Sequence, residues 1–340
     1  MQHVDRIRAV APGLLFSAAV AAVSVLAAPY VAPLLPIPAM VLALLIGIAL
    51  SKWGRHARFD PGATFSIKVL LRWAVALLGL RIALSDVVAL GAGTALLVAL
   101  AMLVTIVGGF LLAHLFRLNS GFGALAGAGT AVCGASATLA TATVLPAYRG
   151  KETDIVFVVV AVNALSTVAM VLYPPLCALL GLDEQTTGVV LGATIHDVAQ
   201  VVGAGYAVSE PVGNAAVIVK LFRVFLLLPV VLVIGWWFTR AHRGASAARV
   251  PVPVFALVFL LLCIVNSIVP SIPAIAPLYD TVRALLVHAS TWGLMIAIGA
   301  LGLKTSFADV ATLGWRHVAT VVGTTMIILV VFVACIVAIS

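Results

Sequence analysis

Nine stretches of this chain, at about residues 12–29, 37–52, 64–84, 87–113, 155–180, 213–239, 252–269, 284–303 and 315–339, are apolar over lengths suited to crossing a bilayer. Hydrocarbon offers no water to backbone N–H and C=O groups, so such stretches must satisfy those groups internally, as helices do. Composition agrees, with 64% hydrophobic and 9% charged residues and a mean hydropathy of +1.26. Between the runs there is no room for a nucleotide-binding or catalytic domain in water, so any work must draw on an ion or substrate gradient. The expectation is an all-α polytopic membrane protein with about 9–11 transmembrane segments once two irregular stretches are counted. It forms one transmembrane domain over residues 1–340, with residues 1–30 as an extra N-terminal helix.

The net charge of +8 lies in short loops, where basic residues set orientation and imply no nucleic acid. Cys133, Cys177, Cys263 and Cys335 stand singly in apolar runs, which indicates neither a disulfide framework nor a metal site or cofactor. Arg6 and Arg8 before a run ending Ala27-Ala28-Pro29 have the outline of a secretory signal, but an ordinary first helix has the same outline. The charge rule then puts the N-terminus in the cytoplasm.

Two pairs of segments resemble each other. Leu78–Gly91 (LGLRIALSDVVALG) matches Leu301–Gly314 (LGLKTSFADVATLG) at a separation of 223 residues, with Arg81 answered by Lys304. Gly129–Ala137 (GTAVCGASA) resembles Gly192–Gln200 (GATIHDVAQ) 63 residues later, though with thin identity. The helix after each of these carries a polar pair, Asn163 and Ser166 in one, Lys220 and Arg223 in the other. If the discontinuous segments 121–147 and 186–207 crossed fully, Arg149 and Lys151 would fall outside and Asp183 and Glu184 inside, against the charge rule. Re-entrant segments restore it and place the pair on opposite sides of the membrane, as an inverted repeat requires. Broken crossing helices remain the alternative.

These segments are where chemistry can reside, because unwound backbone persists in a bilayer only where it lines a cavity or binds something. Gly127, Gly129 and Gly134 let the chain leave helical geometry, while Thr130, Ser136 and Thr138 add hydroxyls. A half-helix beginning near Gly134 would favour an anion at its N-terminus. Small residues also serve close helix packing, and Gly127–Thr143 alone cannot be told from a packing surface. The second segment adds an intramembrane acid, Asp197, beside His196 and within a turn of Gln200. Either Asp197 or His196 could carry a coupling proton. Lys220 and Arg223 lie on one helix face, where they could snorkel, pair with Asp197 or hold substrate charge, and Asn163 occupies the matching position. Arg72 is a further candidate. Arg81 with Asp86, and Lys304 with Asp309, look like helix-end anchors or local pairs. Buried bases outnumber buried acids, which tilts the ligand towards an anion. Ser136, His196 and Asp197 include the residue types of a hydrolase triad, but neighbouring helix residues diverge by about 100° and no G-x-S-x-G elbow is present, so no enzyme is expected.

GTAVCGASA, NALSTVAMVLYPPL, GATIHDVAQVVGAG and VKLFRV resemble the YeiH-like family of bacterial inner-membrane proteins, from about Pro36 to the end. That family is labelled as sulfate exporters and grouped with cation:proton antiporters and anion transporters. The resemblance implies an inverted-repeat secondary transporter with an NhaA/ASBT-like core and panel, in the inner membrane, as a homodimer moving as an elevator. The reading is a proton-coupled transporter of a small anion, whether sulfate, sulfonate or carboxylate. Gly129, Thr130, Gly134, Ser136, Thr138, Asn163, His196, Gln200, Lys220 and Arg223 would contact the anion, and Asp197 or His196 would take the proton. A sodium ion could replace that proton, and a cation:proton antiporter with Asp197 as the cation ligand is the competing reading.

Overall fold

The structure is a computed structural model that describes residues 2–31, 38–241, 254–273, 275–305 and 314–339. Its helices are α1 Gln2–Val31, α2 Ala39–Ala49, α3 Asp60–Leu80, α4 Gly91–Leu115, α5 Ser120–Ala131, α6 Ala135–Val144 and α7 Lys151–Leu179. They continue as α8 Glu184–Thr194, α9 Val198–Val208, α10 Glu210–Thr239, α11 Val254–Ser271, α12 Ala276–Lys304 and α13 Trp315–Ile339. Among the described residues eight helices are long and apolar enough to cross a membrane. The run at 37–52 differs, since α2 stops at a turn at Leu50 before the short helix Ser51–Gly54. In α10, Pro229 lacks the N–H that would reach the Phe225 carbonyl, and the helix turns at Leu226.

The chain divides into two compact units, one of Met1–Ala89, Val202–Asn214 and Val254–Ser306 and one of Leu90–Val201, Ala215–Pro253 and Phe307–Ser340. In the first, α2 crosses α12 where Gly47 meets Gly299 and Gly302, backbone against backbone. The two repeated helix ends reach across to each other's helices. Arg81, at the end of α3, donates to Thr291 on α12, and Lys304, at the end of α12, binds Asp60 and Thr64 on α3. The expected Arg81–Asp86 pair is absent from the ion pairs among the described residues, and Asp86 Oδ2 accepts the Ala83 N–H at 2.9 Å at the start of the short helix Leu84–Ala89. Asp309 lies outside the described residues, and Arg72 is exposed.

In the second unit, α4 and α5 approach until a methyl on Gly109 would lie 2.6 Å from the Gly123 carbonyl oxygen. Gly127 likewise sits in regular helix against Ile106, so it serves this crossing and not the break. The chain then folds back on itself as a hairpin, α5–α6. Gly129 lies beside Thr138, and at the open end a methyl on Gly121 would sit 2.4 Å from the ring of Tyr148, beyond the end of α6. Both ends of the segment therefore lie together. Lys151 closes this end by donating to the Leu145 carbonyl at 2.8 Å. The second break follows the same register: α5 ends at Ala131 and α8 at Thr194, and α6 starts at Ala135 and α9 at Val198, each pair 63 residues apart.

Candidate functional site

The two breaks, Val132–Gly134 and Ile195–Asp197, meet inside the second unit. A methyl on Gly134 would lie 3.8 Å from both the Cβ of Asp197 and the carbonyl oxygen of His196. Gly134 adopts φ 66° and ψ −126°, a conformation that a side chain would strain, and its N–H closes α5 onto the Gly129 carbonyl at 2.9 Å. Its counterpart by register, Asp197, starts α9 by accepting the Ala199 N–H on Oδ1 at 3.1 Å, and its own N–H donates to Ser166 Oγ at 3.0 Å. The beginnings of two half-helices, α6 and α9, are thus adjacent.

Their other halves end beside two fully buried cations from α10. Arg223 donates from Nε to the Ala131 carbonyl at 2.9 Å, from Nη2 to Thr130 at 2.8 Å, and from Nη1 to Gly192 and Ile195 at 2.9 Å each. Lys220 Nζ donates to the carbonyls of Val132 at 2.7 Å, Ile195 at 3.1 Å and His196. Helix ends leave carbonyls without partners and carry partial negative charge, and these two side chains answer both needs at α5 and α8 together. All three ammonium protons of Lys220 are committed.

The remaining polar groups fall into a buried set and a partly open set. Thr130 shares a 2.9 Å hydrogen bond with Thr324 on α13, and His196 Nε2 lies 3.0 Å from Thr325 Oγ1. Thr324 and Thr325 each lie within hydrogen-bond reach of the Val321 carbonyl at 2.9 Å, and with the Thr324 proton placed there Thr130 is the donor to Thr324. Buried Gln200 donates to Asn163 Oδ1 at 3.2 Å and Thr167 Oγ1 at 3.4 Å. Buried Thr138 donates back to the Gly134 carbonyl. Ser136 is exposed, and Asn163 and Asp197 are partly so.

The family described as "Conserved hypothetical protein 698" matches residues 12–321. A UPF0324 membrane protein of Chlorobaculum tepidum is 40% identical over 320 residues, covering 93% of this chain and 86% of its own. One from Rhizobium meliloti is 41% identical over 326 residues (95% and 91%), and the UPF0324 membrane protein TauZ of Paracoccus denitrificans is 40% identical over 324 residues (94% and 93%). The chain belongs to the UPF0324 membrane-protein family. This is the family towards which the YeiH-like motifs pointed, and with its eight long apolar helices this UPF0324 chain is a multi-pass membrane protein. No solved structure matches it.

Every residue that the sequence singled out in the two segments, with Asn163, Lys220 and Arg223, falls in this one unit of the UPF0324 chain. Thr167, Thr324 and Thr325 were not singled out. The signal for the last two was present as adjacent hydroxyls in VVGTTMIIL, an otherwise apolar run.

Proposed function

We propose that this UPF0324 chain is a secondary active transporter of a small anion, sulfate, sulfonate or carboxylate, coupled to a proton. One observation carries the reading: two interrupted segments meet with the C-terminal ends of their first halves, α5 and α8, neutralised by Lys220 and Arg223, and with their second halves, α6 and α9, starting side by side at Gly134 and Asp197. First-turn N–H groups of α6 and α9 attract an anion. Ser136 and Asn163 are the accessible polar contacts, and Gly129, Thr130, Thr138, His196 and Gln200 hold the tips behind them. Asp197 places a negative charge at the same point, so an anion binds favourably once that carboxyl is protonated, which links anion and proton binding. The hairpin form of α5–α6 supports re-entrance over crossing, with the basic 149–151 loop on the cytoplasmic side of the bacterial inner membrane.

A cation transporter would need carbonyl oxygens or carboxylates free for the ion. Here the carbonyls of Val132, Ile195 and His196 already surround a tethered ammonium, which favours the anion. Counterflow in proteoliposomes tests the reading: labelled sulfate, methanesulfonate or acetate should exchange saturably against the same anion inside. Exchange of a labelled cation with no anion exchange would reject it.

A further inference from the structure

The anion reading raises the question of which cation in this chain has donors to offer. Lys220 has none left, and Arg223 spends four bonds on carbonyls. Lys304 is held by Asp60 and Thr64, and Arg283 Nε donates to the Leu80 carbonyl at 2.7 Å. Arg81, in the first unit, differs. Its Nη2 donates to Thr291 Oγ1 at 3.0 Å, but its Nε–H is buried with no hydrogen-bond partner among the described residues. Its Nη1 lies 3.8 Å from Glu210 Oε1, too far for a hydrogen bond. A buried guanidinium N–H left unpaired is costly and calls for an occupant.

Space for one is present. Arg81, Tyr206, Glu210 and Thr291, with the apolar walls Leu78 and Leu294, line a cavity of about 250 Å³. A water takes about 30 Å³, so the cavity holds a small oxyanion with some of its hydration and not a drug-sized molecule. The Tyr206 ring lies 5.6 Å from the guanidinium carbon and is fixed by its hydroxyl, which donates to Asn214 Oδ1 at 2.7 Å. Thr291 is fixed too, since its hydroxyl proton goes to the Val287 carbonyl. Glu210 is the loose member, its side chain 64% exposed.

We propose that Arg81 is the receptor of a second, oxyanion-binding site, and that the Glu210 carboxylate is its resting occupant, displaced when a sulfate, sulfonate or carboxylate arrives. The planar fork of Arg81 presents Nε–H and Nη protons to two oxygens of the ligand. The proposal rests on the transport reading for the class of ligand alone.

Equilibrium binding of ³⁵S-labelled sulfate to the purified full chain in detergent, at constant ionic strength, tests it. Arg81→Ala should weaken binding at least about tenfold, and Arg81→Lys, which lacks the fork, should not restore it. Glu210→Gln should do the opposite and tighten binding about threefold by removing the competitor. A merely structural ion pair predicts that both variants lower thermal stability and leave sulfate affinity alone, and that result overturns the proposal. So does equal weakening by both, or the absence of saturable sulfate binding in the unaltered chain. If this series behaves as expected while anion counterflow is absent, the transport reading fails and this site stands. If counterflow is intact and the series is flat, the reverse holds.

Discussion

Replacing Asp197 by Asn should leave anion exchange intact and remove its response to a pH gradient. Asn retains an oxygen that can accept the Ala199 N–H and start α9, so the tip keeps its shape. It also reproduces the uncharged state of the carboxyl, so the anion no longer waits for a proton. With one coupled proton, a gradient of one pH unit drives about tenfold accumulation. The Asn variant should accumulate nothing above the level without a gradient, while its counterflow rate stays within about a factor of three, the range for loss of a weak polar contact. Labelled anion uptake into proteoliposomes with and without an imposed gradient measures both. Undiminished gradient-driven uptake in the variant would move the coupling proton away from Asp197.

The second large effect concerns stability. Lys220→Met leaves the carbonyls of Val132 and His196 without donors, and Arg223→Met does the same to Thr130, Ala131 and Gly192, while Ile195 keeps one donor in either variant. Each buried orphan costs about 1–3 kcal/mol, so either change consumes a large share of the 5–15 kcal/mol that stabilises a typical fold. Both variants should fail to accumulate or should unfold well below the unaltered protein, as followed by size exclusion and thermal unfolding in detergent. Arg223→Lys should fare little better, because an ammonium has three protons and no planar fork for the four carbonyl contacts that Arg223 makes. Lys220→Met with an unchanged unfolding midpoint and lost anion exchange would instead make Lys220 a ligand contact.

Apolar runs revealed the helices, because hydrocarbon leaves a spanning segment little choice. The hairpin register was also legible. GTAVCGASA and GATIHDVAQ share one glycine in register, yet both helix ends coincide at that offset of 63 residues. What the helices bind to one another with was less legible. Lys220 and Arg223 stood out as charges in an apolar run, but their partners are main-chain carbonyls, which a sequence does not display until the helix ends are known. Arg81 invited pairing with Asp86, five residues away, whereas its partners Thr291 and Glu210 come from other helices. Gly127 and Gly134 look alike in sequence. One is packed in regular helix and the other, at positive φ, makes the turn.

The linkage of proton to anion at the Gly134–Asp197 junction is the centre of this account. It is tested most directly by adding sulfate, methanesulfonate or acetate to the purified chain in weakly buffered detergent solution and following the pH. The account predicts proton uptake that saturates with the bound anion and disappears in Asp197→Asn. Anion binding that moves no proton, or moves the same number in that variant, would contradict it.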